Sequence, residues 1–514
     1  MPLPPRLLAA DQVAGRIALL DLPSGAEVAV LAGRHLAEHA GFLALPGGLA
    51  ACVDDRAGEL LVLDPYGPDA GRPLLRASVP VAVPAEHLAA APGGRHLAVT
   101  TGLGRNEAAW SDLLTAVDLA APEGARTVRV RTRVGEPGVT VLGGERPLVV
   151  LRHREPGELA AYHHDTLLAA APACPPLPPH QRLPLPDADG HGDAHDPVTE
   201  RLFAAAGSGV HRARREDDTL VAEAPLPWAA DGRSGGRGYY LRLDPVRRML
   251  WSCVRGGPGD PGRWPEWSND AWWHQLDSGL TGRVPLGPGL VFRLAVAVRH
   301  VAFARVHPDG DELVLLAAPT GRGERPYVAA RLPLPAMAGA PRPGGTPWDG
   351  VQRRAVAASP GGPLVAVSRG GHGEVHLVDA DHAEEVATLT LPTPMDDGGH
   401  LALVDPGGRR GGGPGGAVTP QLGQARARVS RSPATTSGPS RFPSSSSRSR
   451  RMPRAMSRRR QPASVSRIRV LRGKPGPGSL VSSPSPTSWV TARCIVWRVT
   501  PARRASSATL SADS

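Results

Sequence analysis

The sequence has no apolar run of the roughly eighteen residues that a membrane-spanning helix needs, so we expect no membrane partner. It has few cysteines, and Cys52, Cys174, Cys253 and Cys494 show the spacing of neither a zinc knuckle nor a disulfide framework. The N-terminal residues lack the basic start and long apolar stretch of a secretory signal. These absences predict a cytoplasmic protein without structural disulfides.

The chain is instead rich in one repeated pattern. At intervals of roughly 46 to 63 residues, a short apolar strand runs into a Pro/Gly turn and continues as a second apolar strand. The eight turns contain Pro46, Pro92, Gly143, Pro197, Pro245, Pro308, Pro360 and Pro406. A repeat of this length, built from strands and turns, is typical of β-propeller blades.

A second recurring feature is an apolar strand that ends in aspartate, which suits a turn because its carboxylate accepts hydrogen bonds from turn amides. The clear cases end at Asp21, Asp64, Asp118, Asp277 and Asp379. We assign the segments 16–21 and 27–31 to the third and fourth strands of a blade whose first strand is 400–404. Both ends of the propeller would then share one blade. The sequence therefore predicts an all-β propeller of four-stranded blades, eight in number, or seven if one copy is degenerate.

The repeats resemble those of YVTN-type and WD-like propellers over roughly residues 12–408. Ala358-Ser-Pro-Gly-Gly and Val306-His-Pro-Asp-Gly are close to the Ser-Pro-Asp-Gly turn of that family. His191 and His400 each lie six residues before a turn proline, where the family commonly carries a histidine. The resemblance implies the propeller fold and, by analogy, a frequent scaffold role.

Charge and composition divide the chain into an N-terminal extension (1–11), a propeller (12–408) and a basic tail (409–514). The tail has 21 basic residues and one acid, whereas residues 1–408 have 38 basic and 47 acidic residues, a net charge of −9. The alkaline isoelectric point thus describes the tail. Because this Arg/Ser/Pro-rich segment cannot bury enough apolar surface to offset its ordering entropy, we predict that it is disordered.

Three explanations of the tail remain open. It is a frameshift product, which fits a GC-rich gene with 58 Arg and one Lys and a break where the last blade should continue into its second strand. It is a genuine tail with no specific partner. Or it is a genuine tail that binds nucleic acid or another polyanion, so nucleic acid is a partner only if the tail is genuine.

Four histidines are candidate metal ligands in the axial channel: His87, His191, His195 and His400. Three of them stand before turn prolines in different repeats, and imidazoles from several blades could converge near the axis. Structural use of these histidines, as hydrogen-bonding partners of the backbone, is the competing interpretation.

Tryptophans are concentrated in one insertion, where four of the ten lie within residues 257–273. Trp272 and Trp273 alternate along a strand, so at least one of them should serve the core. Trp264 and Trp267 are the candidates for an exposed partner-binding surface, since aromatic residues are enriched at interface hot spots.

The absence of a Walker-type loop, of a dinucleotide-binding fingerprint and of a convincing catalytic arrangement favours a non-enzymatic function. We expect a propeller scaffold that binds a protein or peptide partner and needs no cofactor. The alternative is a propeller enzyme, a hydrolase or oxidoreductase with a divalent metal or another cofactor in the axial channel. The two hypotheses differ in whether the candidate histidines meet at one point.

Overall fold

The computed structural model describes residues 4–102, 113–130, 138–154, 157–187, 192–321 and 323–406. These residues form eight antiparallel sheets, so the prediction of an all-β propeller is confirmed and its blades number eight. Seven blades have four strands; the other has five because its innermost strand is split in two. The predicted tail lies outside the described residues.

The first four blades are built from the following strands. Blade 1 contains β1 (Arg6–Asp11), β2 (Arg16–Asp21), β3 (Glu27–Ala32) and β33 (His400–Val404). Blade 2 contains β4 (Leu43–Leu45), β5 (Leu49–Asp54), β6 (Glu59–Leu63) and β7 (Leu75–Pro80). Blade 3 contains β8 (Ala85–Ala90), β9 (His96–Thr101), β10 (Leu113–Asp118) and β11 (Arg126–Arg129). Blade 4 contains β12 (Gly138–Leu142), β13 (Leu148–His153), β14 (Glu158–His163) and β15 (Gln181–Pro184).

The other four blades follow in chain order. Blade 5 contains β16 (Asp193–Asp196), β17 (Arg201–Ala205), β18 (Gly209–Glu216) and β19 (Thr219–Pro227). Blade 6 contains β20 (Arg237–Gly238), β21 (Arg242–Asp244), β22 (Met249–Gly256), β23 (Ser268–Gln275) and β24 (Thr281–Pro288). Blade 7 contains β25 (Leu290–Val296), β26 (His300–Val306), β27 (Asp311–Ala317) and β28 (Tyr327–Leu334). Blade 8 contains β29 (Val356–Ala358), β30 (Leu364–Arg369), β31 (Glu374–Asp379) and β32 (Glu384–Thr390).

Helices are short in the described part of the chain. One α-helix, α1 (His164–Leu168), and three 3₁₀ segments, Pro68–Ala70, Pro122–Gly124 and Pro261–Glu266, lie in connections between strands. None of the described helices has the length and apolar character required to span a bilayer.

Blade 1 joins the two ends of the propeller. β33 pairs antiparallel with β1, from Arg6 opposite Val404 to Ala10 opposite His400. We placed β1 in an N-terminal extension and expected the second strand of this blade to follow residue 404. Instead β1 supplies that second strand, so the blade is complete without residues beyond Pro406. A missing strand therefore gives no support to the frameshift explanation of the tail.

The repeated turns follow the first strand of their blades, with one exception. Pro245 follows β21, and Pro360 and Pro92 follow β29 and β8 in the same way. Pro308, by contrast, lies between β26 and β27, the second and third strands of blade 7. The aspartates predicted at strand ends lie at the ends of the third strands of their blades. Asp21 ends β2, and Asp379 ends β31.

The core consists of apolar clusters between neighbouring blades. Leu8, Ile17 and Leu19 of blade 1 pack with Cys52 and Leu61 of blade 2, and all five are fully buried. Because adjacent blades share each cluster, the ring is stable only when it is closed, and burial of apolar side chains is the main source of that stability.

Buried histidines should make stability fall with pH below about 6.5. Burial lowers the pKa of His153 and that of His274 to about 4, and it lowers the pKa of His400 well below its ordinary value. Between those values the unfolded chain binds protons that the folded chain does not, so stability is full above pH 6.5 and decreases towards pH 4. We expect the Tm to fall steadily from pH 6.5 to 4.5 in thermal unfolding followed by circular dichroism.

Three carboxyl groups act in the opposite sense. Burial raises the pKa of Asp55 to about 6 and also raises that of Asp193 and of Asp397, and this penalty disappears as the pH falls. The histidines outnumber them, because burial also lowers the pKa of His96, His163, His164 and His300. His153→Gln should flatten the pH slope, since neither ring nitrogen of His153 has a hydrogen-bond partner among the described residues. His382→Gln, at an exposed position, is the control. An unchanged slope in His153→Gln would show that this histidine titrates normally.

Candidate functional site

The candidate site is the axial channel, where the first strands of neighbouring blades contact one another around the axis. The predicted histidines that the structure describes form no metal-binding group there. His400 begins β33 and His87 lies near the start of β8, whereas His195 lies near the opposite end of its strand β16, with Glu200 at 3.7 Å. His191 lies outside the described residues.

The metal hypothesis finds no ligand set in the described part of the chain. There, no three His, Cys, Asp or Glu side chains are arranged so that they could hold a metal ion. His400 faces a cation instead, because Nη1 of Arg293 donates to its Nδ1 at 3.1 Å. This hydrogen bond requires an unprotonated Nδ1, in agreement with the lowered pKa of His400.

The predicted partner surface of Trp264 and Trp267 is wrong, because both side chains are buried, with 0% and 7% exposure. They belong to an apolar cluster with Leu290, Val306 and Met337. Trp264 and Trp267 therefore anchor the insertion of blade 6 to the propeller. The expectation for the strand tryptophans is confirmed, since Trp272 and Trp273 are both buried.

Arginines without carboxylate partners line the channel at blades 6 and 7. Arg242, in β21, has no carboxylate oxygen within 4.0 Å of its side-chain nitrogens among the described residues; its hydrogen bond to the Leu241 carbonyl is long, at 3.5 Å. It is exposed although its strand is innermost, so its side chain faces the channel. Burial by the surrounding protein still lowers its pKa, and the positive charge of Arg293 lowers it further.

Arg293 likewise has no carboxylate partner in the part of the chain that the structure describes. It lies in a bulge of β25, where the register with β26 shifts between Val291 and Leu294. Bulges redirect side chains and occur often beside functional sites. Burial lowers the pKa of Arg293, whereas Tyr240 and Glu38 raise it. The two guanidinium groups are close enough that the charge of Arg293 helps to lower the pKa of Arg242.

The buried arginines elsewhere in the described propeller are paired with acids. The pairs are Arg6 with Asp69, Arg152 with Asp193, Arg283 with Asp270, Arg305 with Glu312 and Arg354 with Asp311. Pairing is the normal state of a buried charge, since an unpaired one costs several kcal/mol by general estimates. Arg242, exposed to the channel, and Arg293, half-buried, have no such acid among the described residues, so their guanidinium groups are open to an anion from solution.

Three aromatic residues and a third arginine lie next to Arg242 and Arg293. The guanidinium group of Arg255 lies 4.2 Å from the ring centre of Tyr239 and 4.3 Å from that of Trp267. Tyr240 follows in the break between β20 and β21, and burial raises the pKa of its phenol. The hydroxyl therefore stays protonated and can donate a hydrogen bond to an anion.

Charged groups close to Arg293 are already paired with each other. Nη1 of Arg353 donates to Glu38 at 3.1 Å, and Nδ1 of His39 lies 3.3 Å from a carboxylate oxygen of Glu86. The positive charges of Arg242 and Arg293, by contrast, have no acidic partner among the described residues, and Arg255 is held against aromatic rings. We call these three side chains, with Tyr240, the arginine cluster.

The sequence does contain a signal for Arg242 that we missed. It lies three residues before the turn proline Pro245. In the other blades with this proline, the same position holds an apolar residue: Leu43, Ala89, Ala194, Ala357 and Leu403. A charge at a position that is otherwise apolar becomes visible only when the inner strands are aligned on their turns. Arg293 gives no such signal, because blade 7 lacks the proline.

Comparison with solved structures agrees with this fold. The chain is similar to AztD from Citrobacter koseri, with a TM-score of 0.54 and 11% identity over 79% of this chain and 99% of that one. It is also similar to the dihydro-heme d1 dehydrogenase NirN in complex with DHE, with a TM-score of 0.51 and 16% identity over 79% of this chain and 76% of that one. At these identities the similarity shows the fold alone. No protein-family model matches the sequence, and no curated protein sequence matches it.

Proposed function

We propose that this protein is a non-enzymatic binding propeller that holds an oxyanion of a protein or peptide partner at the arginine cluster. One observation carries the proposal: Arg242 and Arg293 face the channel without a carboxylate partner among the described residues. Guanidinium groups bind carboxylate and phosphate through charge-assisted hydrogen bonds, which are the strong ones. A bound oxyanion would supply the charge that these residues lack.

A peptide carboxylate suits the position of the cluster. Arg242 belongs to the innermost strand of its blade, so a ligand has to reach into the channel, and the end of a peptide can do this without opening the ring. Arg293 and Tyr240 would donate from the same side. Capture of a chain-terminal carboxylate is an established mode of peptide recognition.

The test is a calorimetric titration with acetyl-tetraglycine, as the free acid and as the C-terminal amide. The acid should bind and the amide should not, and Arg242→Leu should weaken binding of the acid by at least about tenfold, the value of a lost hydrogen bond to a charged group. A parallel titration with inorganic phosphate shows whether the site prefers phosphate to carboxylate.

Arg299→Leu is the matched control, because Arg299 is an exposed arginine in the turn between β25 and β26, away from the cluster, where it pairs with Asp381. It should leave binding unchanged. Equal affinity for the acid and the amide, or full binding by Arg242→Leu, would refute the assignment.

The rival proposal of a propeller enzyme with a metal in the channel needs a ligand set that the described residues do not form. The similar protein NirN is a dehydrogenase, and for this chain such an activity would rest on fold similarity alone.

A further inference from the structure

One tryptophan lies exposed beside the arginine cluster. Of the seven tryptophans that the structure describes, six are at most 7% exposed, whereas Trp348 is 48% exposed. Its ring centre lies 5.3 Å from that of Phe292, at an angle of 43° between the ring planes. Phe292 directly precedes Arg293 in the bulge of β25. An exposed tryptophan and the half-buried Phe292 thus adjoin an arginine that has no carboxylate partner among the described residues.

Phe292 and the charge of Arg293 border the same small cavity. Pro341, Gln352 and Arg353 line it with them. The cavity has a volume of about 10 Å³, room for a single water and not for a side chain, and Trp348 does not line it. A ligand would therefore lie over Phe292 and Arg293, with an apolar group on the ring and a negative group at the guanidinium.

The segment that carries Trp348 is fixed to the propeller. This segment, residues 335–355, connects β28 to β29. Nε1 of Trp264 donates to the Arg342 carbonyl at 3.3 Å, and the Gly344 amide donates to the Gly262 carbonyl at 3.2 Å. Both bonds join the segment to the insertion in blade 6. The exposed ring of Trp348 is therefore held in place before a partner arrives, which lowers the entropy cost of binding.

We propose that the partner is a peptide whose carboxylate is carried by an aromatic residue, with the aromatic ring packed on Trp348 and Phe292. The inference rests on the proposed function, since Arg242 and Arg293 receive the carboxylate. Charge complementarity selects an anionic ligand, and the rigid aromatic pair selects a ring, because aromatic side chains gain from edge-to-face or offset contact beyond the area that they bury. The protein would therefore select peptides whose last residue is aromatic.

The experiment compares acetyl-Gly-Gly-Gly-Phe with acetyl-tetraglycine, both as free acids, on the full-length protein. The phenylalanine peptide should bind roughly fivefold to tenfold more tightly. Trp348→Ala should remove this preference and leave the affinity for acetyl-tetraglycine unchanged, and Trp348→Tyr should retain part of it. Tyr327→Ala, at another exposed aromatic residue, the first of strand β28, is the control.

The outcomes separate the two proposals. If both acids bind equally well, or if Trp348→Ala keeps the preference, the aromatic subsite is refuted while the oxyanion site stands. If neither acid binds more tightly than its amide, the oxyanion site fails and the aromatic subsite fails with it.

Discussion

A chain that ends after Gly399 should not form a cooperatively folded propeller, whereas a chain that ends after Pro406 should unfold at the Tm of the full-length protein. The first truncation removes β33, which pairs with β1 and places Leu403 and Val404 in the core clusters of blade 1. Each buried aliphatic side chain contributes about 1.5–3 kcal/mol. Together with the lost strand pairing, this approaches the whole stability of a typical domain, about 5–15 kcal/mol.

The second truncation is the matched control, since it removes only residues outside the described propeller. The Tm of both truncated chains is measured by circular dichroism and tryptophan fluorescence during heating. A sharp transition at the full-length Tm in the shorter chain would show that β33 does not close the ring. A lower Tm in the longer chain would show that residues after Pro406 contribute to stability.

Replacing Arg242 by leucine should stabilise the protein while weakening ligand binding. In the ligand-free protein Arg242 makes no ion pair with any described residue. The surrounding protein and the like charge of Arg293 both lower its pKa, although the side chain is exposed to the channel. Leucine occupies the same position in blade 2, at Leu43, and in blade 1, at Leu403. We expect the Tm to rise by roughly 2 °C, because the change removes the repulsion between two cations.

Arg354→Leu is the contrasting control. Nε of Arg354 donates to Asp311 at 2.7 Å, and Nη1 donates to the Ser368 carbonyl at 3.2 Å, both in the protein interior. Removal of this arginine leaves Asp311 buried and without its guanidinium partner, which costs about 3–5 kcal/mol. Calorimetric unfolding should therefore give Tm changes of opposite sign for the two arginines.

The fold was predictable because the same short sequence pattern recurs in each blade. Each blade carries its own strand pattern, and prolines such as Pro197 and Pro245 mark the turn after an inner strand. β1 escaped prediction because Arg6–Asp11 has no such turn before it, and its partner β33 lies at the other end of the propeller. Pairing between distant segments leaves no periodic trace in a single sequence.

The site was less predictable, for a different reason. Tryptophan density indicated an interface, yet Trp264 and Trp267 fill a gap between an insertion and blade 7, whereas the isolated Trp348 is exposed. Burial depends on what covers a loop, and the covering segment lies far along the chain. The histidines near strand starts were chosen as candidates because imidazole is a common metal ligand. What distinguishes Arg242 is the lack of a partner, which only the structure reveals.

The most direct test of the central claim is thermal unfolding of the wild-type protein and Arg242→Leu, each with and without saturating acetyl-tetraglycine. A ligand that binds only the folded state raises its Tm. The wild-type Tm should rise with the peptide, and Arg242→Leu should be more stable than the wild type without peptide and gain nothing from it. A variant that is less stable than the wild type, and that gains the same increase from the peptide, would contradict the assignment of Arg242 to a ligand site.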